Sequence, residues 1–411
     1  MPKQSFFSVL DSEVERIDGV KTSKRHERII QSFKSPTVAQ IDGKDVLIFN
    51  SNDYLGLRHN KQVKESEHAA STKYGAGPGA VRFISGSMQI HRDLEKTVAA
   101  FHGRDDAMVF SSAFAANLAV LYCLISGQNK DSKVTSDVLV VSDALNHRSI
   151  IDGIRLANLP KESRAVFEHM NMASLDEILA ANKGKFSRVL VVTDGVFSML
   201  GEYQKLDEMK TVIDKYDAEY PQGVLLVMDD CHGVASCSDD GRGVEGLKKS
   251  KADVLVGTFG KGFGSDGGYV VANQQVIDYL RESSATYIYS NSIPPGTAGA
   301  ALQAVKIVDS PEGKQLLKTS QSNTAYFKKL MKEAGFVFAA ESTHPIQPVL
   351  IGDPVKTRSL VDFLFSKNIL VTNISYPVVP KGRDEIRVQI SATHTKGEIE
   401  YLVKSMKEFR G

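Results

Sequence analysis

Short apolar runs alternate with polar turns and helix-like stretches through the middle of the chain. The runs are Ala107–Phe110, Val138–Val141, Val189–Val192, Val224–Met228 and Val254–Val256. Stretches with helical periodicity, such as Ser174–Asn182 and Lys205–Tyr216, lie between most of them. Buried strands that alternate with helices are typical of βαβ units and a mainly parallel sheet. We therefore predict an α/β fold with one large domain built on such a sheet.

The two ends of the chain follow other patterns. For the N-terminal end we predict helices at Phe6–Ile17 and Glu27–Phe33, a hairpin turn at Asp42-Gly43 and a strand at Asp45–Asn52. After Pro294-Pro295 we predict helices at Gly296–Val308 and Gln315–Ala334 and strands at Pro348–Ile351 and Glu385–Ile390. These patterns divide the chain into an N-terminal segment (1–50), the large domain (51–295) and a smaller α+β C-terminal domain (296–411).

Composition and charge narrow the class of protein. The chain has 411 residues, of which 42% are hydrophobic and 24% charged, as in ordinary globular proteins. A net charge of +1 with scattered lysines and arginines gives no reason to expect nucleic acid as a partner. Three cysteines without zinc-site spacing predict neither a disulfide framework nor a metal site. With no long apolar run and no signal-peptide pattern, we expect a cytoplasmic protein outside membranes, an organellar matrix remaining open.

Polar and ionisable side chains follow each apolar run. Because ligands bind beyond the carboxyl ends of parallel strands, these residues are the first candidates for a site. They are Ser111–Phe114, Ser142-Asp143 leading to His147, Thr193-Asp194 leading to Ser198, Asp229–His232, and Thr258 leading to Lys261. Turn formers and helix caps explain any single one of these groups about as well, but hardly all five together.

Lys261 lies among glycines directly after a predicted strand. The spacing of Gly257 and Gly260 does not match a P-loop, and the G-x-G-x-x-G match at 262–267 leads into an apolar strand pattern and not into a helix. Glycines allow a flat cofactor to approach the backbone closely, and partial burial lowers the pKa of a lysine so that its amine can attack a carbonyl. The sequence therefore favours a Schiff-base lysine that holds pyridoxal 5'-phosphate (PLP).

Asp229 fits the same cofactor, because a buried carboxylate needs a partner and a protonated pyridine nitrogen is a suitable one. An N-cap or an ion pair with arginine is the alternative interpretation. His232 lies where it could reach the ring hydroxyl, and His147 could stack on the ring. Single histidines are more often structural, but two at neighbouring strand ends favour a functional role.

Several ordered motifs resemble the α-oxoamine synthases, which are PLP-dependent transferases of fold type I, the aspartate aminotransferase-like fold. The motifs are Ser51–Leu57, Arg82–Gly86, Thr193–Met199, Asp229–Gly233 and Gly257–Lys261. Together they extend over nearly the whole chain. Three further stretches, Ser142–Leu156, Tyr287–Pro294 and Tyr376–Thr395, are most similar to the branch of the family that condenses glycine with acetyl-CoA.

The resemblance implies a role for each matching residue. Lys261 would bind PLP covalently and move the α-proton, Asp229 would pair with the ring nitrogen, and His147 would stack on the ring and take part in catalysis. The other implied contacts are His232 and Ser198 to the ring hydroxyl, Ala113, Phe114 and Thr258 to the phosphate, Ser290 and Asn291 to the phosphate of a neighbouring subunit, and Arg387 with Asn52 to the substrate carboxylate. The contact between subunits implies a homodimer with shared active sites.

The implied reaction joins glycine and acetyl-CoA to give 2-amino-3-ketobutyrate and CoA, and its reverse would serve threonine degradation. Sister enzymes that join alanine or serine to a longer acyl thioester are the main alternative; aminotransfer and a catalytically inactive partner subunit are two others. Gly260 and Gly262 depart from the family pattern, in which serine and alanine are common. From these two glycines we predict an unusually flexible lysine loop.

Overall fold

The computed structural model describes residues 2–19, 23–25, 27–127, 129, 131–376 and 378–409. The helices are α1 Pro2–Gly19, α2 Lys61–Tyr74, α3 Gln89–His102, α4 Ala113–Ser126, α5 Arg148–Leu156, α6 Met172–Ala181, α7 Leu206–Tyr216, α8 Gly243–Lys248, α9 Gln274–Ser283, α10 Ala285–Ile288, α11 Pro295–Val308, α12 Pro311–Glu333, α13 Pro354–Ser366 and α14 Lys396–Glu408. The strands are β1 Ile30–Ser35, β2 Val38–Ile41, β3 Lys44–Ile48, β4 Asp106–Phe110, β5 Val138–Asp143, β6 Arg164–Phe167, β7 Arg188–Asp194, β8 Val196–Phe197, β9 Glu202–Tyr203, β10 Val224–Asp229, β11 Val254–Thr258, β12 Gly268–Ala272, β13 Ile346–Leu350, β14 Ile369–Leu370, β15 Thr372–Ile374 and β16 Glu385–Gln389.

A seven-stranded sheet forms the centre of the large domain, in the order β4-β12-β11-β10-β7-β5-β6. Its pairs from β11 through β6 are parallel, whereas β12 is antiparallel to both of its neighbours. All five apolar runs of the sequence are strands of this sheet. They are apolar on both faces because one hydrophobic cluster covers each side. The prediction of a large, mainly parallel sheet is confirmed.

The smaller part of the structure contains two sheets. One is three-stranded, in the order β13-β16-β15, and the other has the order β1-β2-β3-β14. The second sheet joins the two ends of the chain, because β3 pairs in parallel with β14 in the register Leu47 to Ile369. The N-terminal strands and the C-terminal helices thereby come together, and Phe49 packs in the same cluster as Leu402.

Two sequence predictions about the ends need comment. The helix predicted at Glu27–Phe33 is wrong, because Ile30–Ser35 is a strand that pairs with Val38–Ile41. The hairpin turn at Asp42-Gly43 is present, and both residues have positive φ (51° and 73°). The domain division stays a prediction, although α11, which it places in the C-terminal part, packs in the core of the large sheet.

Among the described residues, no helix is both long and apolar enough to cross a membrane. Within the same ranges, no group of three or more His, Cys, Asp and Glu side chains is placed to hold a metal ion. The three cysteines are buried and free.

Candidate active site

The carboxyl ends of the central parallel strands face a cavity of about 130 Å³. Its lining residues are Ala113, Phe114, His147, Ser149, Asp194, Val196, Ser198, Asp229, Cys231, His232 and Lys261. Most of the site residues predicted from the sequence are among them. A larger cavity of about 740 Å³ lies between α8 and α12, and Lys261 and the strand-end carboxylates are not part of its wall. The chemistry therefore points to the smaller cavity.

Lys261 is held in a compact loop between β11 and β12. The loop is closed by backbone hydrogen bonds from Phe259 N to Gly267 O at 2.9 Å and from Gly264 N to Lys261 O at 2.8 Å. The G-x-G-x-x-G match at 262–267 is followed by strand β12, as predicted, and not by a helix. It is therefore not a dinucleotide-binding fingerprint.

Gly262 is packed directly against the segment that follows His232. A Cβ atom at position 262 would lie 2.3 Å from Ala235 O and 2.9 Å from Ala235 Cβ, and Gly262 is buried. A steric reason therefore accounts for this glycine, and the flexibility that we predicted from it is not needed to explain it. Gly260 differs, because a Cβ there would meet nothing closer than Asp266 Oδ1 at 3.4 Å.

This contrast gives a matched pair of variants. We expect Gly262→Ala to lower the free energy of unfolding by about 1–3 kcal/mol through overpacking. It should also displace Lys261 and reduce turnover. Gly260→Ala should leave stability nearly unchanged. Thermal unfolding of both proteins, followed by circular dichroism, checks this; equal melting temperatures for the two variants would contradict the steric explanation.

Asp229 ends β10 and is buried, with 7% of its surface exposed. Asn117 Nδ2 donates to its Oδ2 at 2.5 Å, and Cys231 N donates to its Oδ1 at 3.0 Å. These bonds fix the position of the carboxylate. Asn117, which sequence reasoning missed, lies one helical turn after Ala113, so the i, i+4 spacing could have revealed it.

A second buried carboxylate, Asp194 at the end of β7, lies in the same wall. Its Oδ2 accepts a hydrogen bond from His147 N at 3.1 Å, and its Oδ1 has no hydrogen-bond partner in the part of the chain that the structure describes. Burial, and the nearby charge of Asp229, raise the pKa of Asp194 well above its usual range. The sequence analysis predicted that Asp194 follows a strand at the carboxyl edge of the sheet, but it assigned no role to this residue.

His147 caps the N-terminus of α5. Its Nδ1 accepts a hydrogen bond from Ser149 N at 3.2 Å and lies 2.7 Å from Ser149 Oγ. Burial and the positive charge of Lys261 lower the pKa of His147. The ring is therefore neutral at physiological pH. A neutral, fixed imidazole in the cavity wall is suited to stack on a flat ring.

His232 joins the cavity to residues from both ends of the chain. Its Nδ1 lies 2.8 Å from Tyr54 Oη, and Tyr54 Oη donates to Asn52 Oδ1 at 3.3 Å. Gln389 Nε2 also donates to Asn52 Oδ1. Burial, together with the charges of Lys261 and Arg387, lowers the pKa of His232 well below its usual range. Tyr54 lies within a motif that we quoted, but its role as a partner of His232 was not predicted.

Arg387 lies on β16, two residues before Gln389. Burial lowers its pKa, and the nearby Tyr54 and Glu385 oppose that change. The guanidinium Nε is buried, and no hydrogen-bond partner for it exists among the described residues. A buried arginine with a free donor can bind a carboxylate brought by a ligand.

The residues predicted to bind phosphate are only partly brought together. Ala113 and Phe114 begin α4 and line the cavity, and Ser112 caps this helix by accepting from Ala115 N at 3.1 Å. Thr258 is close by, but its hydroxyl donates to Gly267 O at 3.0 Å. Ser290 and Asn291 are exposed and lie outside the lining of the cavity. Within one chain these last two therefore do not reach the site.

The chemistry of this cavity fits a phosphorylated pyridine aldehyde. Lys261 supplies an amine, the fixed Asp229 carboxylate suits a protonated ring nitrogen, and the first turn of α4 supplies backbone amides for an anion. Asp194 Oδ1, which has no hydrogen-bond partner among the described residues, can accept a hydrogen bond from a group bound in the cavity. Fold and site together define the class: a PLP-dependent enzyme of fold type I.

Comparison with known proteins gives the family. Residues 44–406 match the model of the aminotransferase class I and II family. The 8-amino-7-oxononanoate synthase of Petrotoga mobilis is 37% identical over 90% of this chain and 89% of its own length. The mitochondrial 2-amino-3-ketobutyrate coenzyme A ligase of Mus musculus is 36% identical over 97% of this chain and 92% of its own. The chain belongs to the aminotransferase class I and II family and, within it, to the α-oxoamine synthases.

Solved structures agree with this assignment. A serine palmitoyltransferase (SPT) of Sphingomonas wittichii superposes with a TM-score of 0.87 at 25% identity, covering 98% of this chain and 96% of that one. A structure of SPT with PLP superposes with a TM-score of 0.86 at 27% identity, covering 98% and 97%. The predictions of fold type I and of PLP as the cofactor are confirmed.

Proposed function

We propose that this α-oxoamine synthase condenses glycine with acetyl-CoA to give 2-amino-3-ketobutyrate and CoA, and catalyses the reverse cleavage. The observation that carries the choice of substrates is the small size of the cavity at Lys261, about 130 Å³. Apart from Ala113, Phe114 and Val196, its walls are lined by polar or ionisable side chains and a cysteine. A long alkyl chain needs an extended apolar surface, and this cavity offers little.

PLP, when bound, supplies an electron sink that stabilises negative charge at the α-carbon of the amino acid. The residues of the chain do the remaining work. Lys261 Nζ would hold the cofactor, and the same amine is the group placed to take the α-proton. Asp229 would pair with the protonated ring nitrogen, and the hydrogen bonds from Asn117 and Cys231 N hold its carboxylate in place. The neutral ring of His147 covers one face of the site.

Substrate orientation falls to Arg387 and Asn52. We propose that the guanidinium binds the glycine carboxylate in a bidentate fork, which directs the α-carbon towards Lys261. Asn52 is kept in position by Gln389 and Tyr54. Ser290 and Asn291, exposed on one chain, are proposed to reach the phosphate site of a second copy, which makes the homodimer the active form.

We expect Arg387→Ala to raise the KM for glycine by about ten- to a hundredfold, because a charge-assisted hydrogen bond contributes about 1.5–3 kcal/mol. Arg387→Lys should recover only part of this loss, since lysine keeps the charge without the fork. Steady-state kinetics with glycine varied at saturating acyl-CoA measures the effect. An unchanged KM in both variants would remove Arg387 from the substrate site.

The choice of substrates is tested by release of the CoA thiol from the PLP-loaded protein. Glycine, alanine and serine are each paired with acetyl-, butyryl-, octanoyl- and palmitoyl-CoA. Fast release with glycine and acetyl-CoA alone is the expected result. Faster release with alanine or serine and a longer acyl group would assign the protein a sister activity instead. The similarity to 8-amino-7-oxononanoate synthases favours this second candidate. If no pair released CoA, both the proposed reaction and the sister activity would be rejected.

A further inference from the structure

A histidine outside the cavity joins two carboxylates next to the active site. His169 Nδ1 lies 2.9 Å from Asp143 Oδ1, and His169 Nε2 lies 3.2 Å from Glu202 Oε2. Asp143 ends strand β5 of the large sheet and is buried, whereas Glu202 belongs to the short strand β9. The edge of the histidine ring also packs on Phe197, with ring centroids 4.3 Å apart.

Glu202 and Phe197 belong to a hairpin that forms part of the cavity wall. The strands β8 and β9 pair in the register Val196 to Tyr203 and Phe197 to Glu202. Val196 and Ser198 of this hairpin line the cavity. On its other side the hairpin contacts the smaller part of the structure, where Ser342 Oγ donates to Gly201 O. Its position therefore depends on contacts at both sides.

We propose that His169 is a positioning residue for the reaction, and that as an imidazolium between Asp143 and Glu202 it fixes the hairpin 196–203 and thereby places Ser198 in the site. Only a doubly protonated ring can donate to both carboxylates at once. A neutral ring would satisfy one of them and leave the two negative charges without a cation between them. The inference rests on the proposed function only for the role of Ser198.

The surroundings of His169 support its charged form. Asp143 from β5 and Glu202 from β9 are the charged groups that act on it, while Phe197 from β8 covers the ring. Burial lowers the pKa of His169, but hydrogen bonds and attraction from the two carboxylates outweigh it and raise the pKa to about 9. Gln204 Nε2 donates to Thr193 Oγ1 at 2.6 Å and points towards Asp143 Oδ2 at 3.4 Å, which holds the other end of the carboxylate.

The sign of the pH dependence follows from a pKa that is higher in the folded chain than in the unfolded one. The stabilising contribution of His169 is complete below the ordinary pKa of histidine, near 6.5, and is lost as the pH rises through about 9. The hairpin should thus be held at neutral pH and released in alkaline solution.

Hydrogen exchange of the full-length chain, with and without PLP, tests this proposal separately from turnover. In the unaltered protein, the amides of residues 196–203 should lose protection, after correction for intrinsic rates, as the pH rises through about 9. In His169→Gln and Glu202→Gln they should already be weakly protected at neutral pH. The exposed Glu177→Gln on α6 is the matched control and should behave like the unaltered protein.

Kinetics supply the second readout. We expect His169→Gln to lower kcat by about tenfold or more, because small displacements of a catalytic constellation are costly. The KM for glycine should change little, and the variant should lack the alkaline decline that begins below pH 9 in the unaltered protein. If hairpin protection in both variants equals that of the unaltered chain, the proposal is overturned, whatever substrates the enzyme uses. Failure of every substrate pair in the unaltered protein would instead reject the proposed function and leave the exchange result standing.

Discussion

Replacement of Lys261 by alanine is expected to abolish turnover and covalent attachment of PLP. The ammonium is the cationic group among the cavity-lining side chains, close enough to influence the pKa values of Asp194, His147 and His232. Since the proposed mechanism uses its amine both to hold the cofactor and to move the α-proton, no neighbouring group can substitute for it. We expect a loss in kcat of about 10³-fold or more, within the range known for a removed general base.

Borohydride reduction followed by mass spectrometry measures the covalent link directly. The unaltered protein should gain the mass of reduced PLP, and Lys261→Ala should not. Lys318→Ala, at an exposed position on α12, is the control and should remain labelled and active. Turnover at the full rate by the Lys261 variant would refute the central assignment of the site.

Asp229→Asn is expected to have the second largest effect, a fall in kcat of about a hundredfold or more, as for other lost electrostatic contacts in active sites. The amide has nearly the same shape and can still accept from Cys231 N, and Asn117 can turn its own amide oxygen towards the new NH2 group. The fold and the affinity for PLP should therefore change little. The new amide carries no charge, however, and cannot keep a ring nitrogen protonated. The negative charge that develops at the α-carbon then loses its stabilisation.

Three measurements separate this effect from general damage. Melting temperature and PLP affinity should stay near those of the unaltered protein while kcat falls. Asp207→Asn, an exposed change on α7, should alter none of the three. If Asp229→Asn kept full activity, Asp229 would be a structural carboxylate held by Asn117 and Cys231 N, and the pairing with a ring nitrogen would have to be abandoned.

Local pattern was sufficient to predict the central sheet and to indicate much of the candidate site. Strands such as Val189–Val192 are recognisable because both faces are buried, which leaves a continuous apolar run. A strand-end residue such as Asp229 is recognisable because the run stops at a polar group. The helix predicted at Glu27–Phe33 was wrong because the local pattern there is mixed. The pairing of β1 with β2, which the sequence does not show, decided that this segment is a strand.

Contacts between residues far apart in sequence could not be predicted in this way. Asn117 on α4 meets Asp229 at the end of β10, and Asn52 meets Gln389 because the two ends of the chain share a region. No property of the isolated histidine indicates that His169 joins Asp143 to Glu202. From the sequence, Gly262 looked like a source of flexibility, but in the structure a Cβ atom at this position would collide with Ala235 O, which gives a steric reason for the glycine.

By itself, the sequence determined the fold class and the cofactor, and it indicated Lys261 as the lysine proposed to bind it, because each of these depends on local periodicity or on residue types in a fixed order. The tertiary structure alone decided which side chains hold Asp229, which carboxylate is left unpartnered, and how the hairpin with Ser198 is fixed. Those features depend on distances of about 3 Å between side chains from different strands and helices, the range of hydrogen bonds. Such distances exist only after the sheet has assembled and the two ends of the chain have come together.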